Sequence, residues 1–451
     1  MEANLSLTDD APNSGKKKKK PRINGGKYGF DDYINSSTTV HEDIGVKVGD
    51  RCHCCGVGKY YPGKDRKQIE FSGGPIITAK RHIKKTLRCN CCGDMKMAIK
   101  RIVRWSPEAR SALVIHKIYG NPWNRMERIQ KLFGTPLAAS TMYDQGKIIW
   151  EEAAQFIVPV LFNTVAESPL WQTDDTGMKI LSVMQANKLL PESEQRACHT
   201  TVICGLFEEF KVVLYITANR YCRENWGPLL ERRKSDSKVI IATDASSQSL
   251  PKGDELKRAI PAVCLGGHGR RKFKDIEKDY PEECDYFLKL ISDLYQKEHA
   301  CKGKSDLERL EYHKKHSTPI IKAIYAKIAE LFKNKTVEPN STLGKAMQYW
   351  LNHKEGLTAF LRVAGAPIDN NWAERALRIM AIYRKTSLFF KTMHSALVMN
   401  DLFTLVATCE ENGINAFMYL NWIQVNWKQV QATPHLFLPW HFKNETEAIA
   451  A

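Results

Sequence analysis

The chain has 451 residues, 43% hydrophobic and 26% charged, with 67 Lys and Arg against 50 Asp and Glu for a formal net charge of +17. That length predicts two to four domains with a real core. No run approaches the roughly 18 uninterrupted apolar residues of a bilayer span, and no apolar leader stands at the start, so neither secretion nor a membrane partner is expected. A cytoplasmic, reducing location makes the 13 cysteines free thiols or metal ligands rather than a disulfide framework. A phosphate-binding loop is excluded too: Gly303-Lys304-Ser305 has Glu298 where its first glycine belongs.

Residues 1–43 balance seven basic against seven acidic side chains, are rich in Gly, Asn, Ser and Asp, and carry the block Lys16 to Lys20. Such a segment buries too little apolar area to order itself and predicts a disordered arm. Residues 44–110 then hold sixteen basic against five acidic side chains, a net +11, leaving +6 for everything after. So concentrated a field is the footprint of a nucleic-acid partner.

A zinc-binding module is predicted over 44–105. Cys52-His53-Cys54-Cys55-Gly56 and Cys89-Asn90-Cys91-Cys92-Gly93 are two matched clusters, 33 residues apart. Each contains C-x2-C, and two such knuckles supply four thiolates for tetrahedral Zn²⁺. Glycine directly after the last Cys permits the positive φ a knuckle needs. This favours Cys52, Cys55, Cys89 and Cys92 as ligands, with Cys54 and Cys91 spare. Structural zinc would fold a small basic module that has little core of its own.

Over 106–166 the pattern turns helical. Ser106-Pro107-Glu108 reads as an N-cap with proline in the first turn. An amphipathic stretch from Arg125 to Phe133 stops at Gly134, and a further segment from Thr135 leads into a long helix reaching about Val165. Two short helices around a glycine turn have helix-turn-helix spacing, which any αα-hairpin shares. Ser140, Thr141 and Tyr143 lie where a recognition helix would begin.

Strand texture dominates from Ser168. Leu170 to Val183, Cys198 to Phe207, Phe210 to Ile216, Lys238 to Thr243 and Ala259 to Leu265 read as five strands, with a helix at Glu224 to Arg233. The fold class is therefore an α/β core in layers. A highly charged helical insertion is expected at about 275–360, and helices again over 372–424. Three acidic positions sit where such a core exposes a cleft: the pair Asp174-Asp175 in the first strand, Asp244 ending a buried apolar run, and Glu374 on the first turns of a helix opened by Asp369-Asn370-Asn371. Two sheet-edge aspartates and a helical glutamate suit a pair of Mg²⁺ ions about 3.5–4 Å apart for phosphoryl transfer. Read singly, Asp244 is equally a turn residue and Asp369 an N-cap. His268, Arg270, Arg271 and Lys272 follow the fifth strand, where cations would meet DNA phosphates.

The stretches Leu343-Gly344-Lys345-Ala346, Ile368-Asp369-Asn370-Asn371 with Ala373-Glu374-Arg375-Ala376-Leu377-Arg378, Arg384-Lys385 and Asn412-Gly413-Ile414-Asn415 resemble the insertion sequence 66 family of bacterial DDE transposases. Asp174-Asp175-Thr176 resembles that family's Asp-Glu-Thr, and Gly267 to Phe273 its His-Ala-Arg-Arg-Lys-Phe element. The resemblance spans roughly 45–425. It implies an RNase H-like mixed sheet over 167–400 with the helical insertion, followed by a C-terminal helical region and tail over 401–451. The zinc-binding module and helix-turn-helix precede this core. It also implies a catalytic triad of Asp174, Asp244 and Glu374 binding Mg²⁺ or Mn²⁺, with Arg375 and Arg378 flanking the cleft on the DNA. The implied partners are double-stranded DNA, as element ends and target, together with further copies of the chain and accessory proteins of the same element. The implied setting is the bacterial cytoplasm, at the nucleoid. The departures are Asp175 for the motif's Glu, Thr-Asp-Ala-Ser-Ser around Asp244 in place of Asp-Gly-Tyr, and a polar arm where a leucine-zipper-like segment is usual. They leave a catalytically inactive, repurposed zinc and helix-turn-helix DNA-binding protein as the alternative.

Overall fold

A computed structural model describes residues 46–62, 74–88, 95–97 and 103–443. The chain divides into two compact units, one ending at Gly74 and the other beginning at Pro75. In the first, Arg51 and Lys59 form an antiparallel bridge that closes the turn carrying Cys52 and Cys55. The second opens with a two-stranded antiparallel ribbon, β1 (Thr86–Arg88) and β2 (Met95–Met97).

Helices α1 (Pro107–Ile118), α2 (Trp123–Leu132) and α3 (Ala139–Ile149) follow, and Leu113, Met126 and Met142 form the small core between them. The Ser106 hydroxyl accepts from the Ala109 N–H at 3.3 Å, as the capping pattern predicts. Gly134, at φ +71, ends α2 with the paired bonds Thr135 N–H to Gln130 O and Gly134 N–H to Lys131 O. Through a π-turn at Trp150–Ala154, α3 runs on into α4 (Gln155–Glu167). This 29-residue rod is the one described helix with the length and mean hydropathy of a membrane span. Its apolar side chains Ile149, Ile157, Leu161 and Val165 are buried in the protein's main core.

Five strands form one mixed sheet: β3 (Leu170–Met178), β4 (Cys198–Phe207), β5 (Phe210–Ala218), β6 (Val239–Thr243) and β7 (Ala259–Val263). Their order is β5-β4-β3-β6-β7, with β3, β4 and β5 antiparallel and β3, β6 and β7 parallel. The first strand is shorter than its apolar texture predicts. Ile180 leaves the sheet to bridge Phe390, and Leu181–Asn187 coil into α5.

Helices α4 and α6 (Cys222–Arg232) cover one face of the sheet. The other carries α13 (Asn371–Ser387), and α14 (Met393–Glu411) runs along the outer edge of β5. A row of polar side chains on α14 closes the edge of β5 in place of a further strand. Thr404 and Thr408 accept from the Tyr215 and Val213 N–H groups at 3.1 and 3.2 Å, and Asn412 bonds both the N–H and the C=O of Lys211. Their spacing of four keeps all three on one helix face.

Between β7 and α13 lies the charged helical insertion. It comprises α7 (Arg270–Lys274), α8 (Pro281–His299), α9 (Asp306–His316), α10 (Thr318–Lys333), α11 (Thr342–Asn352) and α12 (Lys354–Leu357). Phe273, Phe287, Ile324 and Trp350 build a second core here, over the outer side of β6 and β7. The Arg309 guanidinium bonds Glu298 on α8 and the Ala366 carbonyl, which fixes the chain just ahead of α13. After α14, α15 (Ala416–Val425) and α16 (Trp427–Ala432) finish the helical set. Gln424 donates to Ser111 at 2.8 Å and ties α15 to α1.

Candidate active site

Register brings two of the three acidic positions together. β3 and β6 run parallel with Gln172 opposite Ala242, so two residues further on Asp174, midway along β3, stands beside Asp244, just past the end of β6. Adjacent strands lie about 4.8 Å apart. Alternation then separates Asp174 from Asp175. Gln172 and Thr176 bond α13, through the Trp372 N–H and Arg384, whereas Trp171 bonds the end of α4 and Thr173 bonds Cys222 on α6. Asp174 thus shares its face with α13 and Glu374, and Asp175 turns toward α6.

Glu374 is held at the mouth of that face by the start of its helix. The Glu374 N–H bonds the Asn370 carbonyl, and the Asn370 amide donates to the Thr173 carbonyl at 2.8 Å, lacing α13 to β3 beside Asp174. Asp369 was expected to cap α13, and the side chain of Asn370 beside it makes this cross-link. The carboxylate of Asp369 takes the capping part by accepting from the Asn371 N–H at 3.1 Å. The loop after β7 presses in from the far side. A Cβ at Gly267 would stand 2.7 Å from Glu374 Oε1, and one at Gly266 would overlap the Tyr295 hydroxyl of α8.

The electrostatics follow from this crowding. Burial pushes the Asp174 carboxyl up to about 7, and the negative charges of Asp244, Asp175 and Glu374 push the same way against the Asp175 N–H that bonds it. Asp175 is also raised, by burial first, with His199 pulling against it. Among the described residues no three His, Cys, Asp or Glu side chains close on one ion-sized point. The carboxylates are arms around a cleft, not a finished cage. Their hard oxygen donors suit Mg²⁺ or Mn²⁺.

Arg270, Arg271 and Lys272 are exposed on α7, Lys272 lying over the Tyr349 ring, while the His268 side chain is outside the described residues. Arg375 and Arg378 are exposed on α13. On α3, Ser140 is exposed and Thr141 and Tyr143 are half-buried, and the helix start is capped from α2, by Glu127 on the Ala139 N–H. In the N-terminal unit, Gly56 has φ +68, its N–H bonds the Cys52 carbonyl, and the Gly58 N–H points at Cys55 Sγ at 3.4 Å. The N–H groups of Cys55 and Cys54 help hold the Cys52 thiol down at about 7. That is a turn shaped for thiolates, and it fits a thiophilic cation such as Zn²⁺. Cys89 and Cys92 are outside the described residues.

The supporting roles of Gln172, Asn370, Tyr295, Gly266 and Gly267 escaped the sequence reading. Only the Gly266-Gly267 pair carried a local signal, a doubled glycine directly after a strand.

A family model described as Transposase IS66 family matches residues 103–397. The chain is 29% identical to the uncharacterized protein y4jD of Sinorhizobium fredii (strain NBRC 101917 / NGR234) over 427 residues, 89% of this chain and 80% of that protein. Over a shorter stretch it is 28% identical to the uncharacterized protein y4qI of the same organism, spanning 39% of this chain and 33% of that protein. These similarities place the chain among the transposases, a class of DNA-processing enzymes. Within that class it belongs to the IS66 family.

Proposed function

We propose that this transposase binds the ends of an insertion sequence and performs metal-dependent strand cleavage and strand transfer on an RNase H-like core, with Asp174, Asp244 and Glu374 as its catalytic carboxylates. The carrying observation is that Asp174 in the middle of β3, Asp244 just past the end of β6 and Glu374 on the first turn of α13 lie near enough for the charges of Asp244 and Glu374 to raise the Asp174 carboxyl. The antiparallel triplet followed by two parallel strands supports the RNase H-like assignment.

Mg²⁺ or Mn²⁺ held there would polarise the scissile phosphate and lower the pKa of a bound water. The chain's own part is to present one carboxylate from each of two strands and a third from α13, and to keep Asp175 off that face. Water oxygen bonds to phosphorus as the bond to the 3′ oxygen breaks, leaving a 3′-OH and a 5′-phosphate. The freed 3′-OH then attacks a target phosphate in the same way. Arg270, Arg271, Lys272, Arg375 and Arg378 hold phosphates on either side of the cleft, and His268 lies nearest the chemistry. The basic module, folded on structural zinc through Cys52, Cys55, Cys89 and Cys92, and the helices bearing Ser140, Thr141 and Tyr143 recognise the element's ends. The enzyme acts as a homo-oligomer, with accessory proteins of the same element, at the nucleoid in the cytoplasm.

The test is strand cleavage of a duplex bearing the inverted repeats that flank the gene. Release of a 3′-OH with Mg²⁺ or Mn²⁺, and none with a chelator, is the expected result. Tight binding of that duplex with no cleavage in either metal would replace this reading with that of a DNA-binding descendant.

A further inference from the structure

The exposed positions of α13 are Asn371, Arg375, Arg378, Ile382 and Lys385. Steps of four and three keep them on one stripe. The stripe begins beside Glu374 and ends at a turn of unusual geometry. Leu388 has φ 69 and ψ −42, and the Phe389 N–H bonds the Ser387 carbonyl at 2.9 Å. This is a γ-turn with positive φ, a rare and strained form.

The turn is strained without being loose. The Phe390 N–H bonds Lys179 O, the Leu181 N–H bonds Phe390 O and the Ser182 N–H bonds Lys391 O, while the Phe390 ring stacks on Tyr383 with centroids 4.9 Å apart. Yet the scaffold turns two large apolar side chains outward, Leu388 at 60% exposure and Phe389 at 43%. Lys179, Lys385 and Lys391, all exposed, lie next to them in this joint. A strained residue held rigidly and facing water is a sign of function.

The geometry points to a wedge. Leu388 and Phe389 enter the base stack of a DNA duplex lying along α13, with Arg375, Arg378 and Lys385 on its phosphates. An apolar pair ringed by cations complements a polyanion with a stackable interior. From Glu374 to Leu388 the helix advances about 21 Å at 1.5 Å per residue. At 3.4 Å per base pair the wedge therefore meets the duplex about six base pairs from the scissile phosphate. The proposal rests on the transposase reading for the identity of the DNA and for the place of the scissile phosphate beside Glu374.

The experiment uses the full chain with a chelator present, so that binding is read without cleavage. The probe is a duplex from the gene's flanks carrying 2-aminopurine at a TA step, and the variants are Leu388→Gly, Phe389→Ala and the pair together. The wild type should raise 2-aminopurine fluorescence on binding as the base unstacks. The double variant should lose that rise while its affinity stays within about threefold, because phosphates supply the affinity. Leu388→Gly should melt no lower than the wild type, since glycine relieves the turn. An equal rise in the double variant overturns the wedge. So does a change in oligomeric state on sedimentation of the double variant, which would make the pair a contact between copies. Failure of the wild type to bind any duplex overturns the transposase reading beneath it.

Discussion

Gly267 offers a way to disturb the site without disturbing the fold. A methyl group added there would lie 2.7 Å from Glu374 Oε1, where ordinary contact begins at 3.4 Å, so the carboxylate must retreat by about 0.7 Å. The retreat costs the fold little, because the obstructed atom is the far end of a flexible side chain and the Gly267 backbone is not left-handed. Catalysis is less tolerant. Reacting groups need placement within about 0.5 Å, and an error near 1 Å costs about 10²-fold. Gly267→Ala should therefore slow 3′-OH release by about 10²-fold while stability moves by less than about 1 kcal/mol. Gly227→Ala on α6, whose added methyl meets nothing within 4 Å, is the control and should cleave normally. Cleavage by Gly267→Ala at the wild-type rate, in a single-turnover gel assay, would refute the placement of Glu374 against this loop.

Three other expectations follow from the packing. Lys117 is buried with its ammonium on Ser387 and over the Tyr383 and Trp123 rings, and burial holds it down at about 7 against 10.5 for a free lysine. Charging it is therefore a folding penalty, complete below pH 7 and relieved toward 10.5, with a ceiling of about 5 kcal/mol that the ring contacts reduce by about 1–2 each. Lys117→Met should thus be most stabilising relative to wild type at pH 7 and below and lose most of that advantage by pH 10; an advantage constant from pH 7 to 10 in chemical denaturation would contradict the assignment. Replacing Thr404 and Thr408 together by Val leaves the Tyr215 and Val213 N–H groups buried without acceptors, so unfolding should be easier by about 2–5 kcal/mol, and an unchanged melting temperature would show that α14 does not close the sheet edge. Metal analysis should find about one zinc per chain, lost in Cys52→Ser, and full zinc retention by that variant would remove Cys52 from the ligand set.

The strands were legible because their signals are local. Cys198–Phe207 appears with the bounds its apolar run predicts, and the Val and Ile run before Asp244 is the fully buried β6. The segment after Met178 was misread since nothing local announces that Ile180 will pair with Phe390, some two hundred residues away. The resemblance favoured Asp174 over Asp175, but nothing local says which of the two faces Glu374. The side on which α13 packs decides it, through Gln172 and Thr176. Asp369 read as a cap because aspartate before a helix usually is one, whereas Asn370 carried no signal of its own. Its bond to the Thr173 carbonyl depends on the distance between two elements, which no motif records. The γ-turn at Leu388 has no sequence signature either, because leucine is not a residue that seeks positive φ.

The central claim is that three carboxylates on one side of β3 do the chemistry. The most direct measurement is metal-dependent 3′-OH release by Asp174→Asn, Asp244→Asn and Glu374→Gln beside Asp175→Asn, each with its melting temperature. The first three should fall by about 10³-fold or more, the scale of losing a group that acts in the transition state. They should melt no lower than the wild type, since crowded carboxylates repel one another. Asp175→Asn, on the opposite face, should keep most of its activity. Full cleavage by the Asp174, Asp244 or Glu374 variant would contradict the account.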